Sequence, residues 1–306
     1  MRLLTRSDFD GLVCAVFLTE IGVVEDYKFV HPKDIQDKSI EVTSNDVLAN
    51  VPYHPECGLW FDHHTSERDR IELRNLKFEG NSFPAPSAAQ VIWDYYGKES
   101  RFGSKFNSLL EAVNKVDSAN LTKDEIIHPK GWILLGYLMD PRTGLGYFRN
   151  FAISNYQLMM DLIKYCRSKS VDEILEISDV KERVTLYNEQ QELFEDMLNR
   201  CCTIRGNVII TNLLEEEKNY CGNRFMVYGI YSEQNIEIRI MWGKNKQNIV
   251  FACGHSVLNH SSKTDVGKLM LKYGGGGHER VGTCQVPIDK WKEILEELVT
   301  QMQKDG

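Results

Sequence analysis

The sequence predicts an α/β fold in two domains: an N-terminal parallel sheet with helices on both faces, then a smaller C-terminal α/β domain. Three observations carry this expectation. The first 65 residues alternate short apolar runs with helical or turn-rich connections, which is how strands buried on both faces read. Residues 171–202 have helical spacing and are dense in Glu, Lys and Gln, the composition of a solvated connecting helix. Beyond about residue 207 the texture changes to β-rich runs with period-two alternation. A length of 306 residues and a hydrophobic content of 42% suffice for two separate cores. The expected boundaries are 1–180 for the first domain, 181–204 for a linker helix and 205–306 for the second domain.

In chain order, "RLLTR" is a first strand, and Gly11 to Ile21 is apolar on nearly every side, as a helix packed on a sheet is. "YKFV", "VLA" and "CGLWF" are further short strands. "PSAAQVIWDYYG" reads as a helix with Ser87 at its N-cap and Gly97 as its stop, and residues 104–116 and 156–167 also have helical spacing. In the second domain "NVIITNLL", "FMVYGIY", "IEIRIMW" and "NIVFACGHS" read as strands, with alternation clearest at Ile236, Ile238 and Ile240. "TDVGKLMLKY" is helical, Gly274 to Gly277 break it, "GTCQVP" is a strand and "DKWKEILEELVTQMQK" is an amphipathic final helix.

Composition narrows the function. A formal net charge of −8 argues against a grip on long nucleic acid, which needs an extended basic surface, but leaves room for small anions in a local pocket. The eight cysteines are scattered with no C-x-x-C pair, so neither a zinc site nor a disulfide framework is expected. No apolar run has membrane-spanning length and charge appears within the first few residues, so a cytoplasmic protein without a membrane partner is expected.

Chemistry concentrates in two places. Asp8 and Asp10 of "SDFDG" stand one residue apart at the end of the first apolar run. In an extended segment both side chains point to one side, so the pair repels itself unless a cation lies between. "GLWFDHHTSE" brings Asp62, His63 and His64 to the carboxyl end of another buried strand, where open α/β sheets place ligands. Carboxylates and imidazoles converging from two strand ends suit a divalent cation with mixed oxygen and nitrogen ligands, manganese better than calcium. Singly, each motif has a plainer reading: acidic residues at a helix start, a strand end with a bonded histidine, and for Gly274 to Gly277 a flexible linker. Their occurrence together, in order and at element boundaries, favours a site.

"SDFDG", "DHH" and "GGGGHERVG" together resemble the DHH phosphoesterase superfamily, in its two-domain branch with a DHHA1 domain. That branch holds nanoRNases, cyclic-dinucleotide phosphodiesterases and exopolyphosphatase-like proteins, and the likeness runs over nearly the whole chain. The resemblance implies a DHH catalytic domain, a DHHA1 substrate-binding domain and a centre of one or two Mn2+ ions, with Mg2+ or Co2+ as substitutes. By this resemblance Asp8, Asp10 and His63 are metal ligands, as is Asp117 in "AVNKVDSAN"; His64 lies near the substrate phosphate and Asp62 orients the two histidines. The amides of Gly275, Gly276 and Gly277, with His278 and Arg280, line the end that grips the substrate. Arg239 and Asn259 are further candidates for that pocket, Arg239 reading equally well as a strand surface charge.

The chain departs from the family pattern twice. Leu4, Thr5, Arg6 and Ser7 fill the space where members carry a histidine before the first aspartate, which removes one nitrogen ligand and sets the Arg6 guanidinium within reach of the first cation position. The bridging aspartate between the first motif and Asp-His-His is either Asp46, favoured by chemistry, or Asn50, favoured by topology. The expected reaction is metal-assisted hydrolysis of a phosphoester in the cleft between the domains, with His64, Asp62 and Arg6 as candidate catalytic groups. The expected substrates are short 5′-phosphorylated oligonucleotides or linear dinucleotides such as pGpG. Inorganic polyphosphate and a nucleotide-binding sensor without hydrolysis are the alternatives. A homodimer is compatible with the resemblance.

Overall fold

The computed structural model describes residues 1–64, 77–218 and 220–306. Strands β1 (Arg2–Arg6), β2 (Asp26–Val30), β3 (Asp46–Ala49), β4 (Leu59–Asp62) and β5 (Gly80–Ser82) form a five-stranded sheet in the order β2-β1-β3-β4-β5. Every pairing in it is parallel. Leu3, Leu4 and Thr5 of β1 have no exposed surface. An inner strand of a parallel sheet is covered on both faces, which is why "LLT" shows no alternation.

The turn out of β1 decides where the first two aspartates go. Asp8 is the N-cap of the helix Phe9–Glu20 and accepts the Gly11 amide at 2.9 Å. A Cβ at Gly11 would collide with the Arg6 carbonyl oxygen, so only glycine lets the chain turn this sharply from strand to helix. Asp8 and Asp10 therefore do not share one extended run: one caps the helix, and the other sits in its first turn. That helix, apolar all round as expected, packs its residues Leu12 to Leu18 entirely out of solvent.

A second sheet contains β6 (Cys202–Arg205), β7 (Val208–Asn212), β8 (Ile236–Trp242), β9 (Ile249–His255), β10 (Gly276–His278) and β11 (Val281–Val286), in the order β10-β11-β9-β8-β7-β6. β7 and β8 are parallel and the other neighbours antiparallel. Ile236, Ile238 and Ile240 turn one face of β8 into a core shared with Phe251, Leu269, Leu298 and Val299. This is the α/β architecture the sequence predicts.

Two segments differ from expectation. "FMVYGIY" is the helix Met226–Ile230 and not a strand. The Asn223 carboxamide accepts the Phe225 amide at 2.9 Å and starts the turn, and Gly229 leaves room for the Ile126 and Ile127 side chains. A short run apolar on every side carries no period, so tertiary contacts decide its conformation. Gly274 to Gly277 does not stay a loop: Gly276 and Gly277 pair with Thr283 and Gly282 as the edge strand β10. Residues 121–127, with the helix Lys123–Ile127, belong to the second of two compact units. The first comprises Met1–Asn120 and His128–Asn188, the second Leu121–Ile127 and Glu189–Gly306. The helix Ser178–Cys201, the expected linker, contains the junction. No helix among the described residues is long and apolar enough to cross a membrane.

Candidate metal centre

Asp10, His63 and Asp117 converge: one ligand atom from each lies within 4.8 Å of the others. Three different elements deliver them. Asp10 comes from the first turn after β1, His63 follows β4, and Asp117 ends the helix Asn107–Ser118. Asp10 is 2% exposed and takes the amides of Ala88 and Ala89, both at 2.9 Å, at the start of the helix Ala88–Tyr95. These are orphan amides of a helix N-terminus, whose partial positive charge favours a carboxylate there. Ser87 caps the same helix by accepting the Gln90 amide, as the sequence predicts.

His63 is oriented by the Ala85 carbonyl, 3.1 Å from Nδ1. A carbonyl only accepts, so Nδ1 carries the proton and Nε2 presents its lone pair. That Nε2 is buried, has no hydrogen-bond partner among the described residues, and faces Asp117 Oδ2 at 3.3 Å and Asp10 Oδ2 at 3.9 Å. Burial, with the Asp10 charge beside it, pushes the Asp117 carboxyl well above the usual range. A lone pair between two carboxylates in a buried site is a donor set for a borderline divalent cation, with the far ring nitrogen already anchored as metal-bound imidazoles are. The residues fit the metal.

His64 packs its ring against that of His63, centroids 4.2 Å apart, and donates its hydrogen bonds to a different carboxylate. Asp62, fully buried, accepts the His64 amide at 3.2 Å and sits 2.9 Å from its Nδ1. Burial opposes a charge on this ring, but the hydrogen bond and charge of Asp62 outweigh it and raise His64 to about 9. Asp62 thus holds His64, while His63 takes its orientation from the backbone. Arg6, Asn50, Asp62 and His64 line a cavity of about 190 Å³. Two cationic side chains facing one space of that size suit a phosphoryl group.

Asp8 is placed differently from Asp10. Its Oδ1 takes Gly11 N and the Asn50 carboxamide at 3.1 Å, and its Oδ2 takes Arg6 Nε at 3.0 Å. Burial raises its carboxyl despite the Arg6 charge. Of the two candidates for the bridge, the structure brings Asn50 to Asp8 and leaves Asp46 out. Asp46 begins a parallel strand whose carboxyl end faces the site, so it lies at the opposite edge, bound by Arg2 at 2.6 and 2.9 Å and by Thr43. Burial works against that carboxyl, but the Arg2 and Thr43 hydrogen bonds win and hold it below the usual range.

Asp46→Asn is therefore expected to cost about 1–3 kcal/mol of stability, the scale of a hydrogen bond to a charged group, and to leave turnover unchanged. Because the folded pKa is depressed, this contribution is present above the unfolded value of about 3.9 and is lost as pH falls through the folded one. Denaturant melts of both proteins should differ at pH 7 and converge in acid. A gap that persists in acid contradicts the ion-pair account.

Sequence reasoning missed four groups: the Ala85 carbonyl, the Ala88 and Ala89 amides, and the Asp140–Arg142 pair. Arg142 Nε lies 2.7 Å from Asp140 Oδ1, and both residues join Asp8, Asp10 and Asp117 around a water-sized cavity of about 10 Å³. "DPRTG" after an apolar helix was the available signal. In the second unit the candidates are dispersed. Gly276, Gly277 and His278 form β10, and Arg280 reaches His260 at 3.1 Å on the surface. Asn259 closes its own loop by donating to the Glu233 carbonyl and accepting the Ser261 amide. Arg239 pairs with Glu237 at 3.0 Å beside a separate cavity.

No protein-family model and no curated protein matches the chain. Among solved structures, the pGpG-specific phosphodiesterase PggH from Vibrio cholerae is 49% identical over 100% of this chain and 99% of its own, with a TM-score of 0.87. The DHH domain of a protein described as a member of a ribosomal-protein family shares the fold at 14% identity, over 98% of this chain and 86% of that one, with a TM-score of 0.61. Near-complete coverage at 49% identity, with "SDFDG" and "DHH" delivering the trio just described, places the chain in the DHH superfamily of phosphoesterases.

Proposed function

We propose that this protein hydrolyses the linear dinucleotide pGpG to two molecules of guanosine 5′-monophosphate, using a divalent ion, manganese by preference, held by Asp10, His63 and Asp117. The observation that carries the proposal is the buried His63 Nε2, its lone pair facing two carboxylates and no donor among the described residues. The substrate reading is supported by the 49% identity to a protein described as pGpG-specific. Water adds to phosphorus and the bond from phosphorus to the 3′-oxygen breaks, so each product carries one phosphate. When bound, the ion supplies Lewis-acid stabilisation of the phosphoryl oxygens.

The chain's own groups do the rest. Asp62 keeps His64 charged and fixed, and His64 and Arg6 offset the charge that grows on the nonbridging oxygens. Arg6 binds Asp8 instead of leaving that carboxylate to a cation. A panel of pGpG, pApA, longer RNA, cyclic dinucleotides, pAp and polyphosphate, assayed with Mn2+, tests the substrate. pGpG is expected to have the highest kcat/KM. Faster release of orthophosphate from polyphosphate would sink the dinucleotide reading.

A further inference from the structure

The first unit contains a further cavity, of about 430 Å³, that none of the metal-centre residues lines. It opens where the helices Asn107–Ser118 and Gly131–Met139 begin and where the chain turns from the helix Asn155–Ser168 into Val171–Leu175. Ser108 lies in this cavity and Asp117 in the metal centre, at opposite ends of one helix, so about 14 Å separates them by the helical rise. Pockets that enclose whole small molecules run to roughly 300–1,000 Å³, so this space has room for one nucleotide.

In a chain of net charge −8, three cations line this cavity and no acid does: Lys105, Arg167 and Lys169. Glu20 holds two of them. Its Oε1 takes Lys105 Nζ at 2.7 Å and its Oε2 takes Arg167 Nε at 2.9 Å. Burial works against that carboxylate, but the Lys105 and Arg167 hydrogen bonds win and keep it below the usual range. One carboxylate thus fixes two cations in place and neutralises the charge of only one. An ion pair between helices would account for Lys105 and Arg167, but not for Lys169 beside them. The two terminal nitrogens of Arg167 and the ammonium of Lys169 make no hydrogen bond among the described residues. Donors and positive charge therefore remain for an anion.

The cavity also has an aromatic wall. Trp132 is half-buried and is held by its Nε1 donating to Ser108 Oγ at 3.2 Å. Phe106 lies under Lys105, whose ammonium is 4.6 Å from the ring centroid. A guanidinium presents a planar fork that matches two phosphate oxygens, and an ammonium adds charge beside it. An indole face stacks any base, because every base has a π-face.

We propose that this cavity binds a nucleoside 5′-monophosphate, its phosphate on Arg167 and Lys169 and its base against Trp132. It is a second nucleotide site apart from the metal centre, and it goes beyond the hydrolysis reading without depending on it.

The test uses the metal-free full chain with its five tryptophans replaced by fluorotryptophan, so that each gives its own fluorine resonance. Trp132→Phe identifies the signal of Trp132, and GMP, guanosine and orthophosphate are titrated separately. GMP is expected to move that signal to saturation, and guanosine and orthophosphate to bind there at least roughly 10-fold more weakly. Arg167→Gln and Lys169→Glu should each weaken GMP at the same signal by at least roughly 10-fold, the scale of one charge-assisted hydrogen bond. Lys169 is exposed, so Lys169→Glu should fold even where Arg167→Gln, which gives up Glu20, does not. An unmoved Trp132 signal, a shift that persists at the same affinity in Lys169→Glu, or orthophosphate or guanosine binding as tightly as GMP overturns the inference. Turnover of pGpG with Mn2+ is expected to be unchanged in Lys169→Glu. A 10-fold fall would make the cavity part of the catalytic site and overturn its separateness.

Discussion

Replacing His63 with alanine is expected to lower pGpG turnover by about 10³-fold or more, the scale seen when a group central to charge stabilisation is removed. His63 supplies the nitrogen of the cluster, and without it Asp10 and Asp117 face each other with no borderline ligand between them. The ring is held by one carbonyl, so the fold should survive. Asp10→Ala is expected to lose as much activity and also about 1–3 kcal/mol of stability, because the Ala88 and Ala89 amides lose their acceptor. Steady-state kinetics beside denaturant melts distinguish the two. A His63→Ala enzyme within tenfold of wild type would show that the trio is not the centre.

The second large effect is on stability and needs no substrate. An ion that binds only the folded chain adds about 2.7 kcal/mol at a hundredfold excess over its dissociation constant. That amounts to roughly 5–10 °C in the melting midpoint of a domain of this size. Metal-free protein should show such a shift with Mn2+, and His63→Ala should show little. The same titration counts sites. Asp8 has its oxygens committed to Gly11, Asn50 and Arg6, so one tight site per chain is expected without substrate. A second should fill only when a nonhydrolysable dinucleotide is present. Two equally tight sites in the free protein would mean that Arg6 gives way to a cation.

Much of this was legible in the sequence because it is encoded locally. "LLT" and "LWF" are short strand runs followed within three residues by an aspartate, and in a parallel sheet such ends lie together. Ser87 announced its helix by residue type alone. The fold class followed from the same runs. The ambiguity between Asp46 and Asn50 had a different origin: both flank "VLA", and only the strand's direction in the sheet decides which end meets Asp8. Asp46, the better ligand by type, went to Arg2 across the register Arg2–Asp46, a pairing that needs two strands to be aligned first.

The least legible contributors were backbone groups. The Ala88 and Ala89 amides and the Ala85 carbonyl position Asp10 and His63, yet their side chains say nothing of it. Glu237, the ion-pair partner of Arg239, was hidden for a related reason. Alternation in "IEIRIMW" predicts a polar face, and solvent is its default occupant. Only the fold shows that a helix covers that face, because "FMVYGIY" itself reads as one more strand.

The central claim is that Asp10, His63 and Asp117 hold the ion with which this chain cleaves pGpG. Chromatography of pGpG incubated with metal-free protein, then with the same protein resupplied with Mn2+, tests it most directly. The account predicts intact pGpG in the first sample and two equivalents of guanosine 5′-monophosphate in the second. Equal cleavage in both samples, or intact pGpG in both, would contradict it.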